Sequence, residues 1–301
     1  IIHAVLKGEY EKNILKVLNG KDGVFNHDLL TKEEMNEAPL PYYDKNIYDK
    51  YFDGNPIPMN NLYPQAHIWS SRGCPFKCIF CVWPAAMTGN DPHGDGKRSV
   101  RQYTPDYIEN FVREITGRFK FKAIYFDDDT FNIGNKHTEK MSEVMSKFNI
   151  PWFAMCRADT SKKETWKTMS ESGCQGVKLG VESGSQVVVD KIVNKHLDLK
   201  YVQEVVSYIR SLNMSVHGTF TYGLPGETKE DMIMTKKFIN DTNFSTVQES
   251  GTAEIEGTPL HTLINEEKLA TYPGAIADKN YDRQKDGGKK WQSLVKELQN
   301  N

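Results

Sequence analysis

The chain has 301 residues, with 38 basic against 40 acidic side chains and a formal net charge of −2. That length allows one large α/β domain with small flanking pieces, and the interspersed charge leaves no electrostatic footprint for nucleic acid or an anionic membrane surface. Five cysteines, three of them clustered, do not make a disulfide framework, and with no secretory signal or long apolar span the expected compartment is the reducing cytoplasm.

Taken from the start, Ile2 to Leu6 read as a strand, Lys7-Gly8-Glu9 as a turn, and Ile14, Leu15, Val17 and Leu18 as the apolar face of a helix. The chain opens at Ile1, so it is expected to be a piece of a longer polypeptide. From Asp22 to Pro64 it is polar, with Pro39, Pro41, Pro56, Pro58 and Pro64 and little periodicity, which predicts a linker lying along a surface. Tyr42, Tyr43, Tyr48, Tyr51 and Phe52 are expected to pin it there.

A strand-like run, Ala66 to Ser70, then leads into Cys74-Pro75-Phe76-Lys77-Cys78-Ile79-Phe80-Cys81. Thiolates select zinc, copper(I) or iron-sulfur clusters. A closed zinc site needs a fourth ligand at short spacing, and the next histidine, His93, lies twelve residues on between Pro92 and Gly94. Three cysteines around a cubane of four irons leave one iron open. The spacing, with Phe80 just before the third cysteine, resembles the radical S-adenosylmethionine (SAM) superfamily. That resemblance implies that SAM chelates the open iron through its amino and carboxylate groups. One electron from the cluster then splits the sulfonium to a 5′-deoxyadenosyl radical. The Leu6-Lys7-Gly8-Glu9-Tyr10-Glu11 string is similar to the segment that closes the Rossmann-like cobalamin-binding domain of one large subgroup.

After the cluster motif, Thr104-Pro105 opens a helix with Ile108, Phe111, Val112 and Ile115 on one face. The strand Lys122 to Phe126 ends in Asp127-Asp128-Asp129, and a helix carries Met141, Val144, Met145 and Phe148. The strand Trp152 to Arg157 follows, then Ser161-x-x-Glu164 as a capping box. Gly176 to Val181 is a strand ending in Glu182-Ser183-Gly184-Ser185, with Val188, Ile192 and Val193 on the next helix. A helix through Val202, Val205, Val206, Ile209 and Leu212 leads to the strand Ser215 to Thr221, the turn Tyr222 to Glu227 and the Thr228-x-x-Asp231 cap. Ser245 to Glu249 is the sixth strand. Strands alternating with amphipathic helices predict a parallel sheet, and six units match the partial barrel that the resemblance implies. Cys156 and Cys174, outside the motif, read as small core residues.

The resemblance spans residues 65–260 and carries over position by position. It makes Cys74, Cys78 and Cys81 the cluster ligands and Phe80 a neighbour of the adenine. Asp127 and Asp128 fall where the family places a polar group near the methionyl amine, the alternative being a solvated strand-end turn. Arg157 is the candidate for the SAM carboxylate, because a guanidinium fork fits a carboxylate, the alternative being an ion pair with Asp159. Glu182 and Ser183 match the motif that holds ribose hydroxyls and carboxylate. Gly218 and Gly223, in Gly-x-Phe-x-x-Gly-Leu-Pro-Gly-Glu, match the motif that backs the adenine. Glu256 stands where the subgroup more often has proline. The loops Trp83–Gly89 and Asp91–Gly96 either line the substrate pocket or cover it.

The expected organisation is an α/β partial (βα)6 barrel at 65–260, preceded by a cobalamin-domain remnant at 1–20 and a linker at 21–64. A helical extension at 261–301 is expected to cover the open seam or to begin a further region. The expected activity is radical cleavage of SAM, followed by cobalamin-dependent methyl transfer or a related C–H modification of a small molecule, with ferredoxin or flavodoxin as electron donor. A methylthiotransferase without cobalamin is the enzymatic rival. An electron-transfer protein, with Cys156 or Cys174 as fourth ligand, and a structural zinc module are the non-enzymatic ones.

Overall fold

The structure, a computed structural model, describes residues 2–50, 62–89 and 91–300. In chain order the first elements are β1 (Ala4–Leu6), α1 (Glu11–Leu18), β2 (Gly23–Phe25) and α2 (Lys32–Glu37). The core then begins with β3 (Gln65–Ile68), β4 (Ser71–Arg72), α3 (Trp83–Met87), β5 (Arg101–Gln102) and α4 (Pro105–Arg118). It continues through β6 (Ala123–Phe126), α5 (Asn135–Met145), β7 (Trp152–Cys156), α6 (Lys163–Glu171) and β8 (Cys174–Glu182). A π turn at Val188–Ile192 precedes α7 (Leu199–Ser211), β9 (Ser215–Tyr222), α8 (Lys229–Asp241) and β10 (Thr246–Gly251). Last come α9 (Pro259–Asn265), α10 (Arg283–Asp286) and α11 (Lys289–Gln299).

Strands β3, β6, β7, β8, β9 and β10 form one parallel sheet in that order, so each strand pairs with the next one of the core in sequence. This is the architecture expected from six strand-helix units, and the sheet stays open between β10 and β3. Parallel strands bury both faces, and here alternate residues divide the work. Ile124, Phe126, Trp152, Ala154, Val177, Leu179, Val216 and Phe220 pack against the helices, while Tyr125, Phe153, Lys178 and His217 turn to the other face. Cys156 and Cys174 are core residues on the helix side.

Local signals hold for α4, whose cap Thr104 accepts from the Tyr107 N–H at 3.3 Å, and for α8, where Thr228 and Asp231 form a capping box. The box expected at Ser161 does not form: the cap of α6 is Lys162, and the Ser161 hydroxyl accepts instead from Asn132 Nδ2 at 3.0 Å. Residues 31–48 of the linker are more tightly packed than its composition suggests. Thr31 and Glu34 close a capping box on α2, Met35 is fully buried, and Tyr43 and Tyr48 pack their rings on Phe119 and Phe121. Tyr42 is exposed; Tyr51, Phe52, Pro56 and Pro58 lie outside the described residues. Helix α11 packs Leu294 and Leu298 into the main core and Trp291 onto Tyr222, at the ends of β9 and β10, which adds to the helical layer.

The N-terminal segment is held to the core by two acids, Glu9 and Glu11, the latter 2.8 Å from Arg72 Nη2. Glu9 is 3% exposed; it accepts from the Leu30 N–H at 2.8 Å and from Arg101 Nη1 and Nη2 at 3.0 and 2.5 Å, with Arg72 at 3.4 Å. Gly8, at φ +76°, fits because a Cβ there would meet the Met87 carbonyl at 2.8 Å. By contrast Leu15 and Leu18, expected on the apolar face of α1, are 63% and 73% exposed. Burial raises the Glu9 pKa, but the Arg101 and Leu30 hydrogen bonds and the two guanidinium charges prevail and hold it below the usual carboxylate range. Its contribution is therefore complete above the unfolded value and is lost as pH falls through the lower folded value. Glu9→Ala leaves Arg101 without its carboxylate, with the Leu30 carbonyl still accepting from Nη1, and is expected to weaken docking of this segment by about 3 kcal/mol. Hydrogen exchange should report it as faster exchange across β1, α1 and β2, with the six-stranded sheet unchanged. The wild type should show the same loosening in acid.

Candidate functional site

The C-terminal ends of the core strands converge on the three-cysteine loop. The loop between β4 and α3 is built by backbone contacts from three directions. The Ile79 N–H donates to the Val193 carbonyl at 3.1 Å, Asn194 Nδ2 to the Lys77 carbonyl at 3.1 Å, and the Leu260 N–H to the Ile79 carbonyl at 3.0 Å. Arg98 Nη1 donates to the Phe76 carbonyl at 3.0 Å and Nη2 pairs with Asp91 at 2.7 Å, tying the Asp91–Gly96 loop to the same place. At the entrance Gly73 stands at φ +95°, where a Cβ would lie 2.2 Å from the Ser99 carbonyl. The sulfurs of Cys74, Cys78 and Cys81 are thus presented by a loop whose shape does not depend on them, and all three residues are partly exposed.

Burial pushes the Cys78 thiol up against the opposing charges of Lys195 and Arg157, and burial takes Cys81 to about 11 against the Trp83 N–H. Among the described residues no group of three or more His, Cys, Asp or Glu side chains is arranged to hold a metal ion. A mononuclear zinc site draws its sulfurs to about 2.3 Å from one centre. Three soft donors on a partly open loop, one for each of three irons, fit a cubane cluster.

Beside Cys78 sits a buried charge network. Lys195 Nζ donates to Glu182 Oε1 at 2.8 Å, Thr221 Oγ1 donates to Glu182 Oε2 at 3.2 Å, and Gly180 makes the space, since a Cβ there would meet Glu182 and Lys195 at 2.7 and 2.9 Å. The backbone is bent to achieve this. Glu182 sits at φ +77° beside a bulge in β8, and Asn194 and His196, on either side of Lys195, are at φ +58° and +51°. Non-glycine residues in the left-handed region cost energy and persist where the surroundings enforce them. Arg157 forks onto Asp159 at 2.5 and 3.0 Å, donates to the Lys195 carbonyl at 2.5 Å and lies 3.8 Å over the Phe76 ring. The ion pair weighed as the alternative for Arg157 is thus what the structure contains. The less engaged buried cation is Lys195, whose pKa burial lowers but Glu182 and Cys78 raise further.

Other expected contacts are taken up by the scaffold. Asp128, 2% exposed, accepts from the Ser70 N–H, the Ser70 hydroxyl and the Ser71 hydroxyl at 3.0, 2.9 and 2.6 Å, so it fastens β4 and is not open to a ligand amine. Burial still takes it to about 6. Ser183 is fully buried, its hydroxyl 3.0 Å from Thr235 Oγ1. A Cβ on Gly218 would meet Phe244 and Phe220 at 2.9 and 3.0 Å, and one on Gly223 would meet Ala275 at 2.2 Å, so close packing excludes a side chain at both. Phe80 does lie at the site, against the apolar cluster of Val188, Val193 and Leu224. Asp127 stays half-exposed, 3.6 Å from His67. Lys195 and Gly180 were not singled out from sequence; the available signal was the polar Asn-Lys-His string twelve residues beyond Glu182.

A cavity of about 590 Å³ opens between the N-terminal segment and the ends of β3 and β6, lined by Glu11, Trp69, Trp83, Met87, Tyr103 and Asp129. The loop after the cysteines therefore supplies part of its wall.

Similarity to known proteins agrees with this geometry. The chain is 27% identical over 268 residues to an uncharacterized methyltransferase of Pyrococcus horikoshii, covering 86% of this chain and 54% of that protein. It is 26% identical over 242 residues to the cytidylyl-2-hydroxyethylphosphonate methyltransferase of Streptomyces wedmorensis, covering 75% and 43%. The chain thus spans about half the length of the curated relatives it matches. Methylthiotransferases are among the further matches. The fold superposes on the radical SAM methyltransferase TsrM of Kitasatospora setae, solved with cobalamin and a 4Fe-4S cluster bound, with a TM-score of 0.60 at 16% identity, covering 70% of this chain and 38% of that one. No helix among the described residues is long and apolar enough to cross a membrane. The family model of the radical SAM superfamily matches residues 70–239, more than half of the chain, and the protein belongs to that superfamily.

Proposed function

We propose that this chain is the core of a cytoplasmic radical SAM methyltransferase acting on a small molecule, with Cys74, Cys78 and Cys81 holding a 4Fe-4S cluster. The observation that carries the reading is the convergence of the three-thiol loop with the buried Glu182–Lys195 pair and Arg157 beside Cys78. Bound there, the cluster would supply the electron, delivered by ferredoxin or flavodoxin, that splits SAM to a 5′-deoxyadenosyl radical. The residues of this chain bind and orient. Glu182 accepts hydrogen bonds from the ribose hydroxyls, the Lys195 ammonium faces the carboxylate, and Phe80 with Leu224 offers an apolar wall to the adenine. The cavity beside Trp83 admits the substrate between its aromatic and charged walls.

Cobalamin, carried by a domain of which residues 1–20 are the closing segment, is part of this proposal, supported by the fold's likeness to TsrM, which was solved with cobalamin bound, and by the docked Gly8-Glu9 turn. A methylthiotransferase is the second reading, favoured by the further relatives of that kind. The test uses anaerobically reconstituted protein reduced with dithionite. An electron paramagnetic resonance signal of a 4Fe-4S cluster that changes on adding SAM, with 5′-deoxyadenosine released, supports the reading. A cluster signal indifferent to SAM points to electron transfer, and bound zinc without a cluster ends the proposal.

A further inference from the structure

The loop that leaves β6 follows the entrance of the cluster loop residue by residue. Asp128 takes Ser70 and Ser71, Asp129 accepts from the Gly73 N–H at 2.9 Å, and Thr130 Oγ1 lies 3.6 Å from Cys74 Sγ. Thr130 is 6% exposed, so water does not compete freely for its hydroxyl. The same hydroxyl is 2.6 Å from the Asp129 carbonyl. It carries one proton and has two acceptors in reach. With Cys74 as a thiol, the sulfur can donate and the Thr130 proton goes to the carbonyl. With Cys74 as a metal-bound thiolate, the sulfur can only accept, and Thr130 is the side-chain donor placed to serve it. The other two thiols sit differently: Cys81 meets the Trp83 N–H, and Cys78 faces the charges of Lys195, Glu182 and Arg157.

We propose that Thr130 is a positioning residue that donates a hydrogen bond to the Cys74 thiolate and raises the reduction potential of the cluster; this rests on the cluster reading above. An electron added to the cluster increases negative charge on its sulfurs, so a donor there favours the reduced state. Removing the donor moves the potential down, and a hydroxyl without the methyl group restores it.

The experiment is a redox titration, followed by electron paramagnetic resonance, of reconstituted wild type, Thr130→Val and Thr130→Ser, with iron and sulfide determined for each. The expected result is full cluster content in all three, a midpoint shifted to more negative potential in Thr130→Val, and the wild-type midpoint in Thr130→Ser. A Thr130→Val midpoint equal to wild type overturns the proposal, as does an equal shift in both variants, which would assign the effect to packing of the methyl group. A folded Thr130→Val that takes up no cluster while Thr130→Ser does would make the hydroxyl part of loop assembly and also overturn it. A wild type without a 4Fe-4S signal removes the cluster reading itself, which the other outcomes leave standing.

Discussion

Replacing any one of Cys74, Cys78 and Cys81 by alanine is expected to strip most of the iron from the reconstituted protein and reduce 5′-deoxyadenosine to background, while the apoprotein keeps its fold. The loop is shaped by its backbone contacts to Val193, Asn194, Arg98 and Leu260, none of which uses a sulfur. Loss of the Cys74 or Cys81 thiol should therefore change apoprotein stability by no more than about 0.5 kcal/mol, and loss of Cys78, which packs against Val188, Val193 and Leu224, by about 1 kcal/mol. Cys156→Ala and Cys174→Ala are the opposite case. Both thiols are 4% exposed within the main core, so removal leaves a small cavity and should cost about 1–2 kcal/mol while the cluster is retained. Iron analysis and thermal unfolding of the five variants separate the two groups. Loss of the cluster from Cys156→Ala or Cys174→Ala would give the cluster a fourth cysteine and favour electron transfer over SAM chemistry.

The contrast among these cysteines shows what was legible in the sequence. The three-thiol spacing is local, and so are the strand and helix periods, the Thr104 and Thr228 caps and the order of the sheet, because each strand of the core pairs with the next. Where a strand-end side chain points is a different matter. Asp128 and Ser183 sit in the expected strings, yet one folds back onto Ser70 and the other onto Thr235, partners 58 and 52 residues away. Glu182 reaches Lys195 only through a bulge and a left-handed residue, and Gly180 makes the space. No periodicity announces such a turn. The linker misled for a related reason: its buried contacts, such as Tyr43 against Phe121 and the capped α2, are sparse anchors between prolines and leave no regular pattern.

Lys195→Met should cost about 3–5 kcal/mol of stability, because it leaves the Glu182 carboxylate buried with the Thr221 hydroxyl, at 3.2 Å, as its remaining side-chain donor among the described residues. Glu182→Ala should cost a similar amount by stranding the ammonium. The double substitution Glu182→Gln with Lys195→Met replaces the ion pair by a neutral pair of similar volume and should recover most of that loss, since buried pairs can exchange for uncharged ones at little net cost. Affinity for SAM should not recover with it. A charge-assisted hydrogen bond contributes about 1.5–3 kcal/mol, so each single variant and the double should bind SAM roughly 10- to 100-fold more weakly than wild type. Thermal unfolding and equilibrium binding on the same four proteins make the decision. Stability that returns while binding stays weak assigns the pair to SAM. If binding returns together with stability, the pair is scaffold for the Cys78 loop, and the ligand must be held by groups other than Glu182 and Lys195.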